Sequence, residues 1–345
     1  LSFMGQTKAL YERIWKKEPN DILHIQSDQI RCYSESEAPY YYYKKMDYIA
    51  DSEAVTVIDI GGGSTDFVYF KDNKPQVASS VHFGCDVLWG NGFNDFENVR
   101  DNGIYCKYAN TIRFNRDDLK DLNMCFTRVE SMKTKDIINF WLTNDEDCGI
   151  TRLLGNDFKP VFVFHLTSIL FYMACMYKEN GLIAPKTVVF SGNGSKYIDS
   201  FISTDKSVLK QIIDMVFKFV FGGTQDVNIK LPIERKESTC YGGLYRPEDA
   251  QSAKTIVYQG DKSQTYNNVG EINANLTTLK KVLVEKYGDL SSLYEKVMTL
   301  LKEQNVIDST ANTVRYVDAS RDRMDIALSN YYTSQVSELH KSAYN

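Results

Sequence analysis

Three consecutive glycines, Gly61–Gly63, stand between two apolar runs and constrain this chain more than any other feature. Val55–Ile60 is rich in β-branched residues, and Phe67–Phe70 is apolar throughout. With Ser64, Thr65 and Asp66 between them, the stretch VTVIDIGGGSTDFVYF predicts a strand, a tight turn and a second strand. Consecutive glycines let the backbone adopt conformations that a Cβ forbids, so several N–H groups can converge on one anion. A hydroxyl from Ser64 or Thr65 adds a hydrogen bond to a phosphate oxygen. Asp59 ends the first strand, where a carboxylate can hold Mg²⁺ through its waters, and Asp66 flanks the turn on the other side. The plain alternative is a glycine-rich hairpin with solvated acids. Apolar strands on both sides and an acid just before the turn favour the anion site.

The octet DIGGGSTD resembles the second phosphate loop of the actin, heat-shock chaperone and sugar kinase ATPase superfamily, to which exopolyphosphatases also belong. Three more stretches extend the resemblance in the family's order. Upstream, Glu35-Ser36-Glu37-Ala38 is similar to the family's connecting helix, with Ser where Pro is usual. There a glutamate positions the attacking water or the metal's waters. Glu35 matches best, Glu37 is one frame away and stays open, and both also suit a helix start, where the dipole favours acids. The tyrosine run 40–43 reads as a helix buried on more than one side.

Downstream, KTVVFSGNGSKYID reads as a strand over Thr187–Phe190, a glycine turn and a helix start at Lys196. It resembles the family's adenosine motif, an apolar strand followed by Gly-Gly-x-Ser and a basic residue. The resemblance gives Gly192, Asn193, Gly194, Ser195 and Lys196 to the nucleoside, with Asn193 in place of one glycine. The spacing GxxxxGK[ST] is absent, so this is not a Walker P-loop. Last, Glu237–Tyr245 resembles the second connecting segment, with Gly242 and Gly243 where small residues let two helices pack closely. The implied fold is α/β: a ribonuclease H-like, actin-type ATPase lobe, a mixed sheet flanked by helices, with a helical C-terminal extension. The implied cofactors are ATP and Mg²⁺.

Composition bounds the alternatives. A chain of 345 residues, 43% hydrophobic and 25% charged, has room for two or three domains with ordinary cores. A net charge of −5 argues against nucleic acid and a membrane surface as partners. Seven cysteines occur singly with no CxxC pair, which fits reduced thiols in a cytoplasmic protein and argues against structural zinc. Val161–Tyr177 is nearly all apolar. It is slightly short for a membrane span and has no anchors that single it out, so a buried core helix is the expected reading. Gly181 suits a helix stop.

The expected organisation is a remnant of a first lobe over 1–50, ending in the connecting helix. A second actin-like lobe over 51–247 follows, with a variable subdomain at 98–158, and then a mainly helical extension over 248–345. In that extension Leu276–Tyr287 and Ser291–Gln304 are expected as separate amphipathic helices, and Thr310–Gln335 as another. Their apolar stripes either pack on the body or bind a protein partner. About fifty residues precede the glycine strand, too few for a first lobe of ~100 residues with its own Asp-x-Gly loop. The chain is therefore expected to be the C-terminal part of a longer Mg-dependent ATPase, or a degenerate relative. A nucleotide-sensing or filament-forming scaffold is the alternative from another class. A small-substrate kinase or an exopolyphosphatase is a third, since fold kinship does not choose among these chemistries.

Overall fold

The computed structural model describes residues 36–50, 53–89, 159–199, 206–232, 235, 237–247, 250, 253–255, 266–309 and parts of 324–340. The expected elements before residue 36, Glu35 and the variable stretch 98–158 lie outside the described residues. The chain divides into two compact units. One comprises Leu1–Phe140, Ile183–Lys196 and Asp226–Ile256; the other comprises Trp141–Leu182, Tyr197–Gln225 and Val257–Asn345.

The first unit is built on a mixed sheet. Its strands are β1 (Val55–Ile60), β2 (Thr65–Lys71), β3 (Lys74–Val81), β4 (Thr187–Ser191), β5 (Asn228–Lys230) and β6 (Lys254–Thr255). Their order in the sheet is β5-β4-β1-β2-β3-β6. β1, β2 and β3 form an antiparallel meander, while β4 runs parallel to β1 and β5 parallel to β4. This 3-2-1-4-5 core is the ribonuclease H-like arrangement of an actin-type lobe, with the short β6 added at the β3 edge. The β2–β3 turn falls on Asp72 and Asn73, whose φ values of 51° and 59° are those of a mirror-type hairpin turn that follows the strand twist. A strand between two neighbours and covered on both faces is expected to be continuously apolar. β1 is buried at every position except the half-buried Asp59, and this exception locates the site.

One face of the sheet carries helix α1 (Ala38–Lys45). Pro39, in the first turn, fits a place where no backbone donor is needed. Tyr40, Tyr41, Tyr42 and Tyr43 are all buried, as the tyrosine run suggested, and form one cluster with Val55, Val57, Val68, Phe70 and Val189. Tyr40 stacks flat on Phe70 at 3.6 Å between ring centroids. Each such ring contributes on the order of 2 kcal/mol through removal of apolar surface from water. Glu37 occupies the N-cap position of α1. A single helical turn, α2 (Asp86–Trp89), follows β3.

In the second unit, α3 (Lys159–Glu179) is long and apolar enough to cross a membrane, yet 78% of its most apolar window is buried inside the protein. It packs with α4 (Lys206–Phe221) and α6 (Val269–Glu303). The Tyr294 hydroxyl donates to the Pro160 carbonyl at 3.0 Å, and Phe164 meets the Tyr294 ring edge-on. Gly181, at φ 74°, follows the helix stop as expected. One expectation is corrected: Leu276–Tyr287 and Ser291–Gln304 are not separate helices but parts of the continuous α6. Gly288, which lies between the two stretches, costs about 1 kcal/mol in a helix interior. The buried stripe of Leu293, Tyr294, Val297 and Leu301 outweighs it. The Asn268 side chain caps this helix by accepting from the Glu271 N–H.

Candidate functional site

Register places the site. Asp59 of β1 lies opposite Asp66 of β2 and beside Ser191 of β4. Paired residues on neighbouring strands share a face, so these three project on the α1 side of the sheet. On that face Val55 and Val57 give way to Asp59, Val68 and Phe70 to Asp66, and Val189 to Ser191. The apolar cover thus ends where β1 and β4 reach their C-terminal ends, and polar groups take over. Ligands of open α/β sheets collect at such carboxyl ends.

Both glycine bends leave from this edge. After β1, the Gly61 N–H donates to the Ser64 carbonyl at 2.8 Å and closes the phosphate-type loop. Gly63 is exposed at its tip, with nothing within 4 Å of where a Cβ would stand. Among the described residues the N–H groups of Gly62 and Gly63 donate to no protein acceptor. Successive N–H groups of this kind can form an anion-binding concavity. After β4, Gly192 has φ 76°, a conformation that favours glycine. The 3-10 turn Asn193–Lys196 follows it.

The two bends touch. A Cβ on Gly192 would collide with the Asp59 carboxylate and the Ile60 carbonyl. A Cβ on Gly194 would stand 2.5 Å from the Ile60 carbonyl oxygen and 2.8 Å from that of Gly61. The glycines are therefore required by the approach of one loop to the other.

The remaining predicted residues take different roles. Ser64 is half-buried beside the loop tip. Thr65 is fully buried, and its hydroxyl donates to the Phe83 carbonyl at 2.8 Å, tying β2 to the turn after β3. Ser195 is also fully buried; its hydroxyl donates to the Gly192 carbonyl at 2.8 Å and closes its own turn. Asn193 and Lys196 are half-buried within the turn. Glu37 is buried, with Oε1 accepting from the Ala253 N–H at 2.7 Å and Oε2 3.8 Å from the Arg246 guanidinium. Its carboxylate is engaged in joining α1 to the segment before β6. Glu35 lies outside the described residues.

Sequence reasoning missed a polar group behind the adenosine-type turn. Arg235 is buried, donating from Nε to the Pro232 carbonyl at 2.9 Å and from Nη1 to Ser195 Oγ at 3.4 Å. Its carbonyl accepts from the Ser238 hydroxyl at 2.9 Å and from the Ser191 hydroxyl at 3.3 Å. Ser238 opens α5 (Ser238–Tyr245), which packs on α1. Burial pushes the Tyr43 hydroxyl up to about 12, against the pull of the neighbouring Ser238 and Ser191 hydroxyls and the Arg235 charge, with Asp59 adding to the rise. No motif marks Arg235; an isolated arginine in a loop carries no sequence signal.

Asp59 and Asp66 give a donor set that fits hydrated Mg²⁺, which needs one or two carboxylates and keeps most of its waters. Two like charges directly across a ladder are destabilising, and a divalent cation held by both would relieve this. Among the described residues no cluster of three or more metal-ligating groups forms, so a site made of protein ligands alone is absent there.

Residues 32–102 match the model of the Ppx/GppA phosphatase family. The match takes in α1, the glycine loop and the turn after β3, and ends before the adenosine-type turn. Among solved structures, the chain is similar to a chain of a PilM-PilN type IV pilus biogenesis complex, with 13% identity and a TM-score of 0.26. The alignment covers 60% of this chain and 49% of that one, so this chain spans about half its length. The search of curated proteins found no match. The family match, with the sheet order, supports the actin-like ATPase superfamily.

Proposed function

We propose that the first unit binds the phosphates of a Mg²⁺-bound nucleotide, with ATP as ligand, and serves Mg-dependent hydrolysis of the terminal phosphate. The observation that carries this reading is the meeting of two glycine bends at the ends of neighbouring parallel strands, beside Asp59. Gly61–Gly63 and Ser64 would cradle phosphate oxygens, and Asp59 with Asp66 would hold the metal's waters. Gly192, Asn193, Gly194 and Lys196 would border the nucleoside. Mg²⁺, when bound, neutralises charge on the phosphates. Phosphoryl transfer depends on positioning and charge stabilisation from more than one side. The groups named here come from one lobe, so binding is the part of the reaction that they support most directly.

Calorimetry on the full chain tests the reading. Mg-ATP is expected to release or absorb heat, with the signal lost when Mg²⁺ is withheld and weakened about 10–100-fold in Asp59→Ala. No heat with the wild-type chain, or an unchanged affinity in Asp59→Ala, overturns it.

The family match favours a second reading, a phosphatase acting on polyphosphate, because it covers the phosphate loop and leaves out the nucleoside turn. Phosphate release from polyphosphate and from ATP, measured side by side, separates the two. Faster release from polyphosphate than from ATP, indifferent to Lys196→Ala, selects the phosphatase.

A further inference from the structure

The phosphate-type loop and the adenosine-type turn are joined by a third segment, Phe83–Cys85, which leads into α2. Three contacts fasten this segment to the phosphate-type loop. The Thr65 hydroxyl donates to the Phe83 carbonyl at 2.8 Å. The Cys85 N–H donates to the Gly61 carbonyl at 3.0 Å. Gly84 lies so close behind the loop that a Cβ there would collide with the Gly62 carbonyl and stand 2.7 Å from the Ser64 nitrogen. One contact fastens it to the other bend: the buried Cys85 thiol donates to the Gly194 carbonyl at 3.2 Å. Cys85 therefore holds one glycine bend with its backbone and the other with its side chain.

We propose that Cys85 is a positioning residue that fixes the spacing between the phosphate and nucleoside halves of the site. The inference rests on the nucleotide-binding reading and goes beyond it. A ligand that reaches both bends needs them in one relative position before it arrives, since ordering them on binding would subtract from affinity. A ligand that touches only Gly61–Ser64 has no such need. A thiol is a weak donor, but in a buried setting its loss leaves the Gly194 carbonyl without that partner. Cys85 touches no reacting group; it acts through the two loops.

The test compares two ligands on the full chain, Mg-ATP and Mg-tripolyphosphate, by calorimetry. Cys85→Ala is expected to weaken Mg-ATP by about three- to tenfold, the scale of one hydrogen bond, and to leave Mg-tripolyphosphate within about twofold. Cys85→Ser, which keeps a donor on a shorter arm, is expected to fall between Cys85→Ala and the wild type in its ratio of the two affinities. Thermal melts accompany both variants. If Cys85→Ala does not melt cooperatively, the ratio is read on Cys85→Ser alone. An equal loss for both ligands, or a wild-type ratio in every folded variant, overturns the positioning role while leaving nucleotide binding in place. A wild-type chain that binds tripolyphosphate but not ATP, or neither, overturns the nucleotide reading itself and the positioning role with it.

Discussion

Gly242 of α5 lies against the backbone of Ala38 in α1, close enough that a Cβ at 242 would collide with the Ala38 carbonyl. The two helices cross at this point with no side chain between them. Their close approach seats Tyr42 against Tyr241, stacked at 5.7 Å between centroids, and sets Ser238 beside Ser191 at 3.0 Å. Gly242→Ala is expected to push the helices apart. Overpacking at such a contact costs about 1–3 kcal/mol, and the obstacle here is backbone, which cannot rotate away. A urea melt checks it: a lower midpoint at unchanged slope is expected. Gly288→Ala, inside α6 with nothing within 4 Å of an added Cβ, serves as the comparison for helix propensity alone.

Gly192→Ala is expected to disturb the site more than the fold as a whole. The residue sits at φ 76°, and a Cβ there meets the Asp59 carboxylate and the Ile60 carbonyl. The left-handed conformation alone costs about 1–2 kcal/mol for a non-glycine residue. Moving Asp59 aside should weaken Mg-ATP binding about as much as Asp59→Ala does, while far-ultraviolet circular dichroism keeps its wild-type shape at low temperature.

Glu37→Gln separates a structural glutamate from a catalytic one. The carboxylate accepts from the Ala253 N–H and lies near Arg246, which also sits over the Tyr41 ring. Arg246 is half-buried, 3.8 Å away, and keeps its bond to the Ala250 carbonyl, so the main loss is at the buried Glu37 carboxylate, at a cost of about 1–3 kcal/mol. The expected outcome is a lower unfolding midpoint with Mg-ATP affinity of the folded protein unchanged. A loss of affinity in protein that melts like the wild type would instead assign Glu37 to the site.

Alkaline stability reports on Tyr43. Burial raises its hydroxyl to about 12, and Tyr69 is raised to about 12 for the same reason. The unfolded chain loses these protons near pH 10, while the folded chain keeps them. The folded state therefore binds more protons between about pH 10 and 12, and stability falls as pH rises through that window. Below pH 10 the contribution is fully present. The Tyr43 hydroxyl lies beside Ser191 and Ser238 without hydrogen-bond geometry to either. Tyr43→Phe should accordingly be close to neutral at pH 8 and lose less stability than wild type between pH 9 and 11.5. Urea midpoints at all three pH values measure it.

Much of the candidate site could be read along the chain because it is made of local signals. The glycine loop between β1 and β2 and the turn after β4 each carry their own backbone requirement in the residue types. The tyrosine run announced a helix buried on several sides, and the register of β1 with β2 and β4 then brought Asp59, Asp66 and Ser191 together. Other features gave a wrong or silent signal. Leu276–Tyr287 and Ser291–Gln304 read as two helices, yet one helix, α6, runs through Gly288 between them. Thr65 suggested a phosphate ligand and Ser195 a nucleoside contact; in the fold each hydroxyl donates to a carbonyl. Arg235 and Cys85 belong to no motif, since each is defined by partners distant in sequence: Ser195 is 40 residues from Arg235, and Gly194 is 109 residues from Cys85.

The amino-acid sequence by itself determined which stretches must bend without side chains and which must be buried, because conformational freedom and apolarity are properties of single residues and short runs. Only the tertiary structure decided that the two bends meet, that Cys85 bonds to both, and that Glu37 is taken up by Arg246 and Ala253. Those relationships depend on strand order and on distances of a few ångströms between segments far apart in the chain. Burial then decides what each polar group does: it must find a partner, and which partner lies within reach is set by packing.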